Sequence, residues 1–499
     1  MKRLVRAGVL AGLVIFGVAR IAGAQPLGPD GSTIVTNQYS VDLTQGPVLA
    51  SVRVTGLAGA YVAIAEGVDG NAHNPAAPAV RLPYSYDYFD YDLGFGVTFP
   101  SSIEGSDFFN SGTRTNLPRS EQSGFVFLDI AANLQFGPLG LGFTTGLQQY
   151  SLDRSADPTQ QQDTLSAQFG IGHLIAAHAF EDHQLMLGVG TRTTALSVVK
   201  LNATASEAPE EVVTMTSAGF EVGALWRPNE QPFRIGAAFH SSMTPDAKPE
   251  GAARVQYAGT GDELYLPNDV TLPWDVNMGV AIQLGPRPFN PRWVDPDELL
   301  TRVKRFLRWR EQERQRMRRQ VVAKARAKGT DATAALAAAD AELELEAVLD
   351  EEHLKRAEQN VRSRLKLRYE QMSRFYVLVS SALLMTGEAE DAVGLEGFLN
   401  RTVMRSGERI GLSPRLGIET EVVPYWVKLR VGSYVEPTRF NPAINSDPWR
   451  IHGTLGFDVK LFEWTVFGVF EEGTQWRVSG ALDVAARYLG WSLSAGIWH

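Results

Sequence analysis

The sequence predicts an all-β protein: a transmembrane outer-membrane β-barrel of about 14 antiparallel strands, with an N-terminal plug and a charged α-helical hairpin insertion. Three observations predict it. The chain opens with an export signal, its body repeats segments that alternate with a period of two, and none of its 499 residues is Cys. An exported chain without cysteine has neither disulfides nor thiolate metal sites, and long strands with one apolar face suit a sheet closed on itself in lipid.

Lys2, Arg3 and Arg6 precede an apolar run from Val9 to Val18, and Ala22-Gly23-Ala24 offers small residues for cleavage before Gln25. Arg6 and Arg20 limit the uncharged stretch to 13 residues, short of the roughly 18 that a spanning helix needs. Residues 1–24 therefore read as a cleaved secretory signal. A formal net charge of -9 argues against a nucleic-acid partner, whose phosphates reward a basic face.

The barrel is read in two parts, 84–294 and 375–499. In "GFVFLDIAANLQF", Val126, Leu128, Ile130, Leu134 and Phe136 share one face, while Asp129, Asn133 and Gln135 share the other. Gly137-Pro138 turns the chain, and Leu139, Leu141, Phe143 and Leu147 then oppose Gly140, Gly142, Gly146 and Gln148. The same alternation sets Ala167, Phe169 and Ile171 against Ser166, Gln168 and Gly170, sets Met278, Val280 and Ile282 against Asp275, Asn277 and Gln283, and recurs at Trp476–Val484. The terminal "GWSLSAGIWH" resembles the last strand of outer-membrane proteins, apart from His499 after the aromatic residue. Fifteen segments qualify, from 84–98 to 489–498 and including 464–471. Bacterial barrels have an even number of strands, so one of the fifteen is spurious or one strand is missed.

Residues 25–83 precede the first strand. The stretch "GLAGAYVAIAEGVDGNAHNPAAPAV" ends near Asn74-Pro75-Ala76; its glycines, Gly56 and Gly59 among them, permit close approach and unusual φ, and Pro75 pushes Asn74 toward extended geometry. This stretch resembles the hatch, or plug, of FadL-like outer-membrane transporters of hydrophobic compounds and of related PorV-like barrels. The resemblance implies a hatch that blocks the pore, ligands captured from outside, and sideways exit through the wall. Gly56, Gly59, Asn74, Pro75 and Ala76 are the expected hatch residues. Asp129, Arg192, Glu221, Asp275 and Asp458 are candidate lumen-lining residues, by the face on which each falls.

Between Asp295 and Arg374 alternation stops. Asp295 or Pro296 starts a helix; residues 301–328 hold 12 Lys or Arg, and 340–352 hold seven acids and no base. Two oppositely charged helices are expected to pair as a hairpin over 295–374, turning at Gly329-Thr330-Asp331, with Leu336, Leu343, Leu354, Val361 and Leu365 on the seam. A basic helix also suits anionic lipid or lipopolysaccharide phosphates. Counting joints from the first strand puts the insertion in the periplasm, where a protein partner is expected to meet it, whereas counting back from a periplasmic C-terminus puts it outside.

The eight His are scattered, and Gly-x-Ser-x-Gly, His-Glu-x-x-His and Gly-Lys-Ser/Thr do not occur. No catalytic residue, metal ligand or cofactor is assigned. The expected function is an outer-membrane channel for uptake of hydrophobic molecules such as long-chain fatty acids. A PorV-like barrel holding or passing secreted proteins, and a general diffusion porin, are the alternatives.

Overall fold

A computed structural model describes the chain apart from residues 1–26, 84, 86, 104, 113–121, 123–124, 153–163, 202–209, 246–253, 257–262, 465–474 and 499. The signal segment and His499 thus lie outside the described residues. Fourteen strands close into an antiparallel barrel: β1 (Phe89–Phe99), β2 (Val126–Phe136), β3 (Leu139–Leu152), β4 (Thr164–Phe180), β5 (Leu185–Leu201), β6 (Glu210–Trp226), β7 (Phe233–His240), β8 (Asp275–Leu284), β9 (Val377–Thr386), β10 (Gly411–Val423), β11 (Val427–Pro437), β12 (Trp449–Glu463), β13 (Gln475–Ala485) and β14 (Tyr488–Ile497). Each pairs with its neighbours in chain order, and β14 closes on β1.

The fifteenth expected strand, 464–471, lies outside the described residues except for Trp464, which is not in a strand. β12 and β13 pair directly, Gly453 against Val484 and Glu463 against Gln475, so the ring is complete without it. β1 starts at Phe89 rather than at the expected Tyr84. Arg81 bends the chain there, donating to the carbonyls of Gly137 and Tyr88 and to Ser85 Oγ.

One rim carries the short joints 137–138, 181–184, 227–232 and 424–426; the other carries 100–125, 153–163, 241–274, 387–410 and 438–448. With fourteen strands the 285–376 joint and the C-terminal end of β14 both fall on the short-turn rim. The two counts that disagreed over the insertion now coincide. Exposed Phe180, Trp226, Phe375, Trp426, Phe462 and Trp464 ring that rim, as aromatic girdles do at the headgroup level of membrane barrels. Above it the outer wall exposes residues such as Ile130, Phe143, Val189 and Val280, a continuous apolar belt that hydrocarbon would cover.

The upper part of β4 departs from that pattern. Ala167, Phe169 and Ile171 point inward and pack with Tyr39, Val41 and Leu43, while Gln168 faces out. Here the strand meets an apolar partner inside the ring, so the burial preference reverses.

That partner is the N-terminal segment. Ser40–Asp42 forms the middle of a three-stranded parallel sheet with Asp269–Thr271 and Ala392–Gly394, both in long joints. The chain then enters the barrel, forms α1 (Val52–Gly56) against β11, β12 and β13, and is wholly buried from Leu57 to Ala65. It leaves at Arg81 on the opposite rim.

Seating this segment requires glycine. Gly140, Ala177, Gly188, Gly223 and Ala238 face one another across five successive strands and form a level band of small residues. A Cβ on Gly188 would lie 1.9 Å from the Pro75 carbonyl oxygen, one on Gly140 2.1 Å from that of Pro78, and one on Gly223 2.2 Å from Asn74 Oδ1.

The insertion is a hairpin of α2 (Pro296–Ala327) and α3 (Ala332–Glu370). Asp295 caps α2 by accepting from the Asp297 amide, and Asp331 caps α3 by accepting from the Thr333 amide. Arg310 pairs with Glu346 and Asp350, and Arg318 with Asp340. Leu343 is buried on the seam, and Leu336, Leu354, Val361 and Leu365 are half-buried.

Gly188→Val is expected to lower barrel stability by about 1–3 kcal/mol or more, because overpacking meets backbone that cannot retreat. Gly453→Val, where nothing lies within 4 Å, is expected to leave it nearly unchanged. Urea unfolding followed by tryptophan fluorescence checks the pair.

Candidate functional site

Asn74 is the pin of the internal segment. Its Nδ2 donates to the carbonyls of Val62 (2.8 Å) and Ala224 (3.1 Å), and its Oδ1 accepts from the Ala76 amide (3.0 Å). One side chain therefore ties the segment to itself and to β6. Pro75 and Ala76 pack in the same place against the glycine band. Gly56 approaches Gly456, and a Cβ there would sit 3.0 Å from its Cα; Gly59, at φ +72°, lies against Arg415.

Two buried charge networks flank this segment. Arg53 donates to both Glu419 oxygens at 2.9 Å and to the Tyr61 hydroxyl at 2.8 Å. Glu66 bridges Arg53 (3.2 Å) and Arg234 (2.8 Å). Arg430 joins Glu419 and Asp458, each at 2.6 Å, and Arg477 links Asp458 (3.4 Å) to Asp69 (3.3 Å). Arg53, Tyr61, Glu66 and Asp69 belong to the internal segment, and Arg234, Glu419, Arg430, Asp458 and Arg477 to the wall. In a low-dielectric interior such pairs persist only when both charges are satisfied.

The second network stands on β4 to β8. His173 Nδ1 lies 2.8 Å from Glu221 Oε2, and His240 lies 3.4 Å from the same oxygen through Nε2. His240 Nδ1 meets Asp275 Oδ1 at 2.6 Å, and Arg192 donates to Asp275 Oδ2 at 3.0 Å. This cluster edges two adjoining cavities of about 190 Å³ each, which share His73, Arg192, His240 and Asp275 in their walls. The first extends past Val68, Phe127 and Asp129 to Gly94 and Ser494; the second extends past Pro47, Phe169 and Leu384.

Of the residues named from sequence, Arg192 and Asp275 thus come together at the cavities, while Glu221 is fully buried behind them on His173 and His240. Asp129 faces the first cavity with Oδ1 lacking a hydrogen-bond partner among the described residues, and Asp458 belongs to the other network. Sequence reasoning missed Arg53, Glu66, Arg234, Glu419 and Arg430, and gave His73, His173 and His240 no role. The readable signal was a charge at an inward position; partners such as Arg430 opposite Glu419, or Arg192 opposite His173, are set by register. At the short-turn rim, burial beside Trp293, with Arg227 and Arg81 nearby, draws His183 down to about 4.

No family model and no curated protein matches the chain. Among solved structures it is similar to the CymD monoaromatic hydrocarbon channel, at 10% identity, TM-score 0.44, covering 91% of this chain and 97% of that one. It is also similar to a Pseudomonas aeruginosa FadL homologue, at 10% identity and TM-score 0.45, with 92% and 99% covered. A third is the P. putida toluene transporter TodX, at 8% identity and TM-score 0.47, with 91% and 99% covered. Identities this low carry neither ligands nor residue roles to this chain.

Glu419→Ala is expected to destabilise the barrel by about 3–5 kcal/mol, since it leaves Arg53 and Arg430 short of a buried counter-charge. Denaturant midpoints of the variant and the parent check this.

Proposed function

We propose that this chain is an outer-membrane channel for uptake of hydrophobic molecules such as long-chain fatty acids, similar to the FadL-like transporters, exported through a cleaved signal, with residues 25–83 acting as its hatch. The observation that carries the reading is the pair of adjoining cavities between the internal segment and the wall. Leu49, Ile171, Phe127 and Phe169 give them apolar surface, and Arg192, His240 and Asp275 lie along one edge. That is the make-up of a site for a molecule with a greasy body and a polar end.

Two further features support the reading. The internal segment is tied at both rims, by the Ser40–Asp42 strand and by Arg81. In this proposal the hatch opens by a local shift between Glu66 and Asn74 rather than by leaving the barrel. The first cavity reaches Gly94 and Ser494 at the closing seam, whose ladder runs over Gly94–Phe99 and Trp491–Gly496. A ligand leaving sideways would cross the wall there.

Arg192→Ala and His240→Ala are each expected to weaken binding of a fluorescent long-chain fatty acid by about tenfold or more, the worth of a hydrogen bond to a charged group. The unfolding midpoint is expected to stay within the range where the barrel remains folded. Titration of the purified, reconstituted barrel measures this. Unchanged affinity in both variants would remove the cavity edge from the site; no saturable binding by the parent would favour a PorV-like role with protein cargo.

A further inference from the structure

The hairpin is not used by the uptake reading. Its α3 end covers the place where the internal segment leaves the barrel: Leu365, Tyr369 and Met372 face Arg81, Leu82 and Pro83 across a small cleft, and Arg362 pairs with Asp87 at 2.9 Å. α2 starts beside the rim turn, held by Arg292 on Asp182 (2.8 Å) and by Trp293 packed at a tilt against His183. At 3.6 residues per turn, Arg302, Arg305 and Trp309 stand on the side of α2 turned away from Arg310, Arg314 and Arg318, which meet α3. That side is not a plain solvated one. In the first turns of α2, Leu299, Phe306 and Trp309 are 51%, 52% and 55% exposed, and Arg302, Arg305 and Arg308 are exposed beside them. Deeper in the hairpin Arg310, Arg314 and Arg318 are bound to α3 carboxylates, while Arg319, Lys324 and Arg326 are exposed toward the hairpin tip, away from the rim. For Arg302, Arg305 and Arg308 no carboxylate lies within ion-pair distance among the described residues.

We infer that the first turns of α2 lie on the lipid leaflet that borders the short-turn rim, and bind the phosphates of its anionic phospholipids through Arg302, Arg305 and Arg308. Position selects this occupant. α2 starts at the rim that carries the aromatic girdle, the level at which lipid headgroups stand. Composition agrees: Leu299, Phe306 and Trp309 form an exposed apolar stripe with Arg302 within it and Arg305 and Arg308 toward the other side, the make-up of an interfacial helix, with the indole at the polar boundary. The leaflet would then hold the hairpin base, and with it the α3 turns, over the exit of the internal segment.

The absence of cysteine makes the test direct. Full-length Phe306→Cys and Leu345→Cys barrels, labelled with an environment-sensitive fluorophore, are reconstituted into phosphatidylcholine vesicles with and without phosphatidylglycerol, together with headgroup-level quencher lipids. Leu345, 62% exposed, lies on α3 and reports a hairpin that is folded but off the membrane. The label at 306 is expected to be quenched far more than that at 345, more so with phosphatidylglycerol and less at high salt. Reversing Arg302, Arg305 and Arg308 to Glu is expected to abolish the phosphatidylglycerol effect, each arginine near an anionic surface being worth about fivefold in occupancy. Equal quenching at 306 and 345 would overturn the placement. Strong quenching at 306 that ignores phosphatidylglycerol would overturn phosphate binding.

Discussion

The structure depends on one close approach, of the backbone around Asn74-Pro75-Ala76 to a band of glycine and alanine on the inner wall. Gly140, Ala177, Gly188, Gly223 and Ala238 share one level across β3 to β7. Side chains there would hold the segment off the wall, and Asn74 could not reach the Ala224 carbonyl. The band thus decides where the internal segment sits, and that position sets the shape of the space beside it. Pro75 and Pro78 suit the contact because they present carbonyls without an amide that would need a partner.

Charge does the remaining work. Buried ionic groups are costly unless they are paired, and most of those inside this barrel are. Arg53, Glu66 and Asp69 bring the segment's charges to Glu419, Arg234 and Arg477 on the wall, so position and neutralisation are achieved together. The His173, Glu221, His240, Asp275 and Arg192 cluster differs because it borders open space. In the proposed channel, the first network holds the hatch and the second meets the ligand's polar end.

Much of the barrel was legible because hydrocarbon outside and packed backbone inside impose opposite demands on alternate residues. β8 and β13 follow that rule along their length, and β2 and β3 over most of theirs, with Phe127 and Tyr150 buried inside. The rule failed at Ala167, Phe169 and Ile171, where the inner neighbour is apolar and the alternation is preserved with its sense inverted. It also picked out 464–471, a stretch rich in Trp, Val and Phe that lies outside the described residues apart from Trp464, while the ring of fourteen closes without it. The Asn-Pro-Ala signal marked the internal segment, but the three-residue Ser40–Asp42 strand was too short to show a period. The inward charges could be named from the strand faces. Their partners could not, because a pair such as Glu419 and Arg430 is fixed by register between strands.

The central claim, that the internal segment closes the barrel through its seat on the glycine band, is tested most directly by electrical recording of the intact protein in a planar lipid bilayer. A seated segment predicts no steady ion current across the bilayer, at most brief openings. A steady current proportional to voltage, as from an open water-filled pore, would contradict it and restore the diffusion-porin reading.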